Sequence, residues 1–166
     1  MNALPIPELS QANIEDFWSR VNKSGDCWNW TGRLTDKGYG LARYTIAGKR
    51  HGIRAHRLAQ ELEVGPVAPD MQVDHLCHNR ACVKPTHLRI ATHKQNQENL
   101  SGAQARNQSG VRGVSWYARK SLWMGSVRHN KKLHHVGYFA TIAEAERAVI
   151  AKRNELFTHN NLDHAA

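Results

Sequence analysis

The chain has few cysteines, a deficit of acidic residues and no long apolar run. Three Cys in 166 residues is a small and odd number, which argues against a disulfide framework and favours a reducing compartment. No stretch of about 18 consecutive apolar residues is present, so we expect no membrane-spanning helix. The first ten residues have neither a basic start nor an apolar core, and we therefore expect no secretory signal and a cytoplasmic protein.

The shortage of acids leaves 23 Lys and Arg against 14 Asp and Glu, a formal net charge of +9. The excess is concentrated in two segments. Residues 33–57 contain seven basic side chains and one acid, and residues 106–132 contain seven basic side chains and no acid. Two separate cationic segments favour a long polyanion such as DNA or RNA over a small anionic ligand. The alternative is a basic solvated surface with no such partner.

The spacing of apolar residues predicts an α+β chain with two domains, residues 1–99 and 110–166, joined by a small and polar linker over 100–109. Thr92 and Gln95 have the spacing of a capping box, which places Asn96 in the first turn of a helix. The other elements that we predict in the first domain are a helix over 14–21 with Asn13 as its N-cap, strands over 27–30 and 41–46, a helix over 54–63, and strands over 73–76 and 87–91.

The second domain has a different pattern, with strands followed by a helix. The predicted strands cover residues 111–117, 122–129 and 133–139, and the helix runs from a capping box of Thr141 and Glu144 to about Phe157. Three strands and one helix enclose a small core, which large aromatic side chains help to fill.

Sulfur and nitrogen donors occur at short spacings in the first domain. Cys77 and Cys82 are separated by four residues, as are Cys82 and His87, and Cys27 is the remaining Cys of the chain. A Cys3His zinc site would use all three thiols and would stabilise a loop-rich unit with little core of its own. The alternative is three buried, reduced thiols and a surface His.

Oxygen ligands and a candidate base lie beside these donors. Asp74 and Asn96 offer hard oxygen atoms, which suit Mg²⁺ better than zinc. His75 follows Asp74 on a predicted strand, so the two side chains point to opposite faces. A His that removes a proton from water and a metal that neutralises phosphate charge are the requirements for phosphodiester hydrolysis. An Asp-His dipeptide alone is a weak signal.

The segment VDHLCHNRACVKPTHL (residues 73–88), followed by Asn96, closely resembles the HNH endonucleases, especially those of phages and mobile elements. The spacing of its Cys and His residues is also similar to that of the His-Cys box homing endonucleases, which share the same ββα-metal active site. Phe17-Trp18, GDCWNWTG (25–32), GYG (38–40) and AHRL (55–58) match the phage pattern as well, so the resemblance covers about residues 14–99. It implies a zinc-stabilised ββα-metal nuclease unit.

This resemblance implies a role for each matching residue. His75 corresponds to the general base that activates water. Asn96 corresponds to a ligand of the catalytic Mg²⁺, for which Mn²⁺ could substitute, and Asp74 matches the acidic ligand of many HNH enzymes but not of every His-Cys box member. His93, three residues before Asn96, is a second-rank metal or phosphate contact.

The zinc ligands and the phosphate-binding arginine follow in the same way. His87 matches the middle position of the motif and is expected to bind Zn²⁺ together with Cys27, Cys77 and Cys82; in zinc-free relatives this position is often Asn with a structural role, which is the alternative for His87. A basic residue commonly supports the scissile phosphate in this superfamily. Arg57 is our candidate for that catalytic role, with Arg54 one turn earlier as the alternative, and a solvated or backbone-contacting Arg is the plainer reading of both.

Four segments of the second domain, residues 109–116, 123–128, 136–139 and 143–148, resemble the AP2/ERF DNA-binding domain over about residues 109–160. In that family a three-stranded antiparallel sheet enters the major groove and the helix packs behind it. The resemblance implies DNA contacts from Arg112, Trp116, Arg119, Lys120, Trp123, Arg128, Lys131 and Lys132. For the two tryptophans, packing in the core is the alternative.

The sequence thus predicts a site-specific, Mg²⁺-dependent endonuclease that cleaves double-stranded DNA in the cytoplasm of a bacterial host. By resemblance, a homing or phage-mobility role is expected. A monomer cuts one strand at a time, so cleavage of both strands requires a homodimer or two successive events. The alternative is a sequence-specific DNA-binding regulator with an inactive nuclease fold, against which the joint presence of Asp74, His75 and Asn96 argues.

Overall fold

The computed structural model describes residues 6–100, 102–103 and 106–164, without the side chains of residues 162 and 164. Positions 101, 104 and 105 of the predicted linker lie outside the described residues, as do residues 1–5 of the first predicted domain and residues 165–166 of the second. The chain divides into two compact units, one ending at His93 and the other starting at Lys94. None of the described helices combines the length and the apolar character that a bilayer span requires.

The first unit is built from short antiparallel strand pairs and two helices. Its strand pairs are β1–β2, β3–β4 and β5–β6. The elements are α1 (Gln11–Ser19), β1 (Val21–Asn22), β2 (Asn29–Trp30), β3 (Leu41–Ile46), β4 (Lys49–Arg54), α2 (Ala55–Glu63), β5 (Gln72–His75) and β6 (Leu88–Ala91).

Helix α1 starts earlier than the apolar pattern predicts. Ser10, rather than Asn13, is its N-cap, because the Ser10 side chain accepts a hydrogen bond from the Asn13 backbone N–H. The Asn13 side chain instead pairs with the backbone of Thr45, donating to its carbonyl at 3.0 Å and accepting from its N–H at 3.1 Å. Asn13 therefore joins α1 to the edge of β3.

The core of the first unit lies between α1, α2 and the early strands. The Phe17 and Trp30 rings stack at 5.2 Å, and Ala55 and Leu58 of α2 are buried against them. Gly40 is required at this contact, because a Cβ there would lie 2.8 Å from the Ala55 Cβ. Helix α2 is thereby fixed close to the loop that precedes β3.

The β5–β6 hairpin carries the motif residues. Asp74 pairs with Arg89 and His75 with Leu88 across the two strands. A 3₁₀ turn over Pro85–His87 precedes β6, so His87 lies in a turn and not at the start of a strand as predicted. The loop between the strands contains Cys77 and Cys82.

The second unit begins with α3 (His93–Glu98), which crosses the division between the units. The capping box of Thr141 and Glu144 and the helix end near Phe157 are as predicted. Strands β7 (Val114–Tyr117), β8 (Leu122–His129) and β9 (Lys132–Phe139) form an antiparallel sheet in the order β7-β8-β9, followed by α4 (Ile142–Leu156) and the short α5 (Asn161–His164).

Strand β7 starts three residues later than predicted because Gly113 forms a turn. Its φ of +87° lies in the left-handed region, and a Cβ there would lie 2.6 Å from the carbonyl oxygen of Ser126. Behind the sheet, Val114 and Val127 pack against Ala145 and Val149 of α4. The predicted sheet with one amphipathic helix is therefore observed, with a small core.

Helix α3 is joined to the second unit by hydrogen bonds. The Arg112 guanidinium donates to the backbone carbonyls of Gln97, Glu98 and Leu100 at 2.9–3.0 Å. The Glu98 carboxylate accepts from the backbone N–H and the hydroxyl of Thr158. These contacts explain why the compact units divide at residue 93, ahead of the predicted linker.

Candidate active site and metal centre

A cluster of three thiols and one imidazole lies in the first unit. The ligand atoms of Cys27, Cys77, Cys82 and His87 are all within 4.8 Å of one another. The Nδ1 atom of His87 is 3.6 Å from the Cys27 sulfur and 3.7 Å from the Cys82 sulfur. The sequence prediction brought together the same four residues, and the cluster could bind a metal ion.

Backbone pairing brings Cys27 to the other ligands, fifty residues away in the chain. The N–H of Val83 donates to the Trp28 carbonyl at 2.8 Å, and the N–H of Trp30 donates to the Ala81 carbonyl at 2.9 Å. The segment after Cys27 is thus paired with the segment around Cys82. The Cys27 thiol reaches the cluster because β2 is paired by these hydrogen bonds with the loop between β5 and β6, called the motif loop below.

The chemistry of the donors fits a bound cation. Burial and the neighbouring Cys77 raise the pKa of the Cys82 thiol to about 12, and burial also raises the pKa of Cys77. Thiolates packed this closely repel one another unless a positive ion neutralises them. Three sulfurs and one imidazole nitrogen in one place are the donor set of structural Zn²⁺ sites.

His87 has a second polar neighbour on the other side of its ring. Its Nε2 lies 3.6 Å from a carboxylate oxygen of Asp26, and the Lys84 ammonium is 3.3 Å from the other oxygen of that carboxylate. Because Nδ1 faces the sulfurs, the Nε2–H is directed toward Asp26. Carboxylates in this position orient ligating histidines.

His75, the predicted general base, is buried beside the cluster. Its Nε2 is 3.1 Å from the backbone carbonyl oxygen of Cys82. A carbonyl can only accept a hydrogen bond, so Nε2 carries the proton and the lone pair of the ring is on Nδ1. Burial lowers the pKa of His75, which favours the neutral, basic form. Cys82 thus links the two sites: its sulfur belongs to the thiol cluster, and its carbonyl accepts the hydrogen bond from the His75 imidazole.

Two residues that were not singled out as site residues pack against His75. The His56 ring lies 4.5 Å from the His75 ring, and the Tyr39 ring lies 6.0 Å from it. Burial lowers the pKa of His56 to about 3, and its buried Nδ1 makes no hydrogen bond within the described residues. Both lie in motifs quoted above, GYG and AHRL, and those motifs were the available signal.

Asp74 lies on the opposite side of β5 from this ring cluster. One of its carboxylate oxygens accepts two hydrogen bonds from Arg89, at 2.9 and 3.0 Å. The pair is cross-strand, because Asp74 and Arg89 are partners in the β5–β6 ladder. The structure therefore shows an ion pair at the predicted metal ligand, and metal binding by Asp74 stays a prediction.

The Arg57 side chain binds other groups of the protein, as in the backbone-contacting alternative named above. Its guanidinium donates to the carbonyls of Val67 at 2.8 Å and Met71 at 3.3 Å, and its Nε lies 2.9 Å from Glu61. These partners fasten α2 to the loop before β5 and occupy the guanidinium. Arg54, the alternative, is exposed at the start of α2.

The remaining candidates of the motif lie on α3. Asn96 is half-buried and His93 is exposed, and the His93 Nδ1 is 3.1 Å from the side-chain nitrogen of Gln72. The role of Asn96 as a metal ligand stays a prediction.

In the second unit, most of the predicted DNA contacts are exposed. Trp116 is 47% exposed, whereas Trp123 packs against the core, which favours the core alternative for that residue. Arg112 donates hydrogen bonds to the end of α3, and its DNA contact stays a prediction. The predicted contacts that are basic and exposed are Arg119, Lys120, Arg128, Lys131 and Lys132.

Comparison with known proteins bears on the motif-bearing segment. Residues 54–98 match the family model described as HNH endonuclease. This chain belongs to the HNH endonuclease family. Protein 3.8 of Escherichia phage T7 is 30% identical over 82 residues, which cover 49% of this chain and 67% of that protein.

Two further relatives of this HNH chain are viral. Protein 7.7 of Escherichia phage T7 is 38% identical over 85 residues, 50% of this chain and 62% of the phage protein. An uncharacterized HNH endonuclease of Acanthamoeba polyphaga mimivirus is 29% identical over 119 residues, 71% of this chain and 60% of the viral protein. The HNH chain thus spans about three fifths of the length of these two relatives. No solved structure matches it.

Proposed function

We propose that this protein is a metal-dependent endonuclease that hydrolyses phosphodiester bonds in double-stranded DNA. The observation that carries the proposal is the state of His75. A buried imidazole whose Nε2–H donates to the Cys82 carbonyl has its basic nitrogen fixed in one orientation. Fixed orientation and neutrality are what a general base requires.

In this proposal, His75 Nδ1 removes the proton from the attacking water. Asp74 and Asn96 would hold Mg²⁺, or Mn²⁺ in its place, because both offer oxygen donors. The bound ion would neutralise charge on the phosphate and on the leaving oxygen. Arg89, which pairs with Asp74, would orient that carboxylate.

The thiol cluster has a separate, structural role in the proposal. Zn²⁺ held by Cys27, Cys77, Cys82 and His87 would fix the loop whose carbonyl at Cys82 orients His75. Four protein ligands leave no open position for a substrate, which is typical of structural zinc sites. Folding of the motif loop is then coupled to zinc binding.

We further propose that the second unit reads DNA in the manner of AP2/ERF domains. Its exposed basic residues lie on and between the strands of the sheet, and strands can enter the major groove. Target recognition followed by cleavage would suit a homing or phage-mobility nuclease in a bacterial cytoplasm. The protein would act as a monomer or homodimer.

A supercoiled plasmid tests the proposed function. Incubated with Mg²⁺, the wild-type protein should convert it to nicked or linear DNA, and His75→Ala should reduce the rate by at least about 100-fold. If wild type produces no more cut DNA than His75→Ala while both bind DNA, the protein is a DNA-binding regulator and the nuclease proposal is wrong.

A further inference from the structure

The loop before β3 gathers two arginines around a tyrosine beside His75. The Arg80 and Arg54 guanidinium carbons lie 5.3 and 5.4 Å from the centre of the Tyr39 ring. The Tyr39 ring is itself close to both histidine rings of the site. Three segments far apart in the chain thus converge on one aromatic side chain.

The GYG motif explains how Tyr39 is presented. Gly38 has a φ of +79°, in the left-handed region that favours glycine. The Thr35 N–H donates to the Tyr39 carbonyl at 2.9 Å and the Thr35 hydroxyl accepts from the Tyr39 N–H at 3.2 Å. These two hydrogen bonds close the turn and fix the backbone position from which the Tyr39 ring projects.

The two arginines are exposed and have no acidic partner among the described residues. Arg80 donates one hydrogen bond, to the Lys37 carbonyl at 3.0 Å, which leaves the other N–H groups of its guanidinium for a ligand. By contrast, Arg57 and Arg89 are each paired with a carboxylate. Two guanidiniums that contact one ring and have no acidic counter-ion can bind an anion.

Both guanidiniums lie around the Tyr39 ring, whose centre is 6.0 Å from that of the His75 ring. A phosphodiester carries one negative charge, and more charge accumulates on its oxygens as water attacks. Two guanidiniums at that position would stabilise the transition state more than the ground state.

We propose that Arg80 and Arg54, aligned on Tyr39, bind the phosphodiester group that His75 hydrolyses. This proposal rests on the proposed nuclease function. Arg80 and Arg54 are the phosphate ligands, and Tyr39 is a positioning residue that acts through them. Arg57, the sequence-based candidate, is then a structural residue of α2.

Binding and cleavage are measured separately to test it. Affinity is determined on a short fluorescein-labelled duplex with Ca²⁺ in place of Mg²⁺, across a range of salt concentrations. The single-turnover cleavage rate is determined on supercoiled plasmid with saturating enzyme and Mg²⁺. Arg50→Ala is the matched control, since Arg50 is an exposed arginine on the same strand as Arg54.

Arg80→Ala should lower the slope of log K against log salt by about one and the saturating cleavage rate by about 100-fold. Arg80→Lys keeps the charge but loses the planar fork, and should retain the slope with an intermediate rate. Tyr39→Ala removes the ring and should cleave more slowly than wild type, and the conservative Tyr39→Phe, which keeps the ring, should recover most of that loss. Arg50→Ala should leave the saturating rate unchanged.

An unchanged slope for Arg80→Ala overturns the proposal, as does a reduced slope with a saturating rate within about threefold of wild type, because the phosphate bound would not be the one that is cut. If wild type cuts no more than His75→Ala, the nuclease function fails instead. The salt dependence then decides the phosphate contact by itself: a reduced slope supports it and an unchanged slope overturns it. Thermal unfolding of each variant identifies any loss of fold.

Discussion

His56 is a buried imidazole that remains neutral because its surroundings exclude water. Its ring contacts Tyr39 and His75, and the charges of Arg54 and Arg57 oppose its protonation in addition to the larger effect of burial. Replacing it removes a group that only the unfolded chain can protonate at mildly acidic pH. The state of this one side chain therefore has a measurable effect on stability.

We predict that His56→Phe flattens the dependence of stability on pH between 6.5 and 5. Above pH 6.5 neither state of the wild-type chain protonates His56. As the pH falls below 6.5, the unfolded chain binds a proton, while the folded chain resists until its pKa of about 3. Wild type should thus lose up to about 1.4 kcal/mol per pH unit more than the variant.

Chemical denaturation at a series of pH values measures this difference. His51→Phe is the control, since His51 is exposed on β4, and it should keep the wild-type pH dependence. Parallel curves for wild type and His56→Phe would contradict the assignment of a neutral, buried imidazole.

Several site residues could be predicted from the sequence and others could not. Cys77, Cys82 and His87 follow from their short spacing, and Cys27 follows because it is the remaining Cys of the chain. A backbone-contacting Arg57 was the alternative reading, but its acceptors, the carbonyls of Val67 and Met71, could not be predicted because they belong to a loop whose path no local pattern encodes. Tyr39 and His56 were missed as functional residues because an aromatic or a lone His is more often part of a core.

At the level of elements, the motif loop between β5 and β6 depends on ligands from three segments. Cys27 lies before β2, Cys77 and Cys82 lie in the loop, and His87 lies in the turn before β6. A shared ion would tie these segments together, and loss of one ligand would release all of them. This loop also presents the carbonyl that orients His75.

We predict that purified protein contains about one zinc per chain and that Cys77→Ser reduces both the zinc content and the melting temperature. Metal analysis and thermal unfolding, with and without a chelator, provide the measurements. His78→Asn is the control, because His78 has a φ of +55° that Asn tolerates and it is not part of the cluster. Full zinc content and stability in Cys77→Ser would show that the assignment is wrong.

Most element positions were predictable, but strand β4 was not predicted and some element ends were misplaced. The β3, β8 and α4 bounds agree with the sequence pattern because alternation and capping are local. The start of α1 and the start of β7 were misplaced. In each case a local side chain or turn, Ser10 in one and Gly113 in the other, competed with the apolar pattern and determined where the element begins.

For the whole molecule, part of the net charge of +9 lies in the second unit. Its exposed cations include Arg128 on β8, while α4 on the other side of the core supplies Arg147. If the sheet faces DNA, removal of a basic residue from the sheet weakens binding and removal of one from the helix does not. The distribution of charge, and not its total, is what decides the outcome.

We predict that Arg128→Ala weakens DNA binding and lowers the salt slope by about one if it contacts phosphate. Fluorescence anisotropy on a labelled duplex in Ca²⁺ measures both quantities. Arg147→Ala, which removes an equal charge from α4, should leave the affinity and the slope as in wild type. Equal effects of the two substitutions would indicate non-specific attraction rather than a sheet-mediated contact.

The bonds from Arg112 to the end of α3 have a consequence for modular exchange. An engineered chimaera joined at the polar segment 100–109 would deprive Glu98 of Thr158 and the last turn of α3 of its guanidinium. The family match extends to residue 98, so any replacement for the segment after α3 must bring its own equivalents of these two partners.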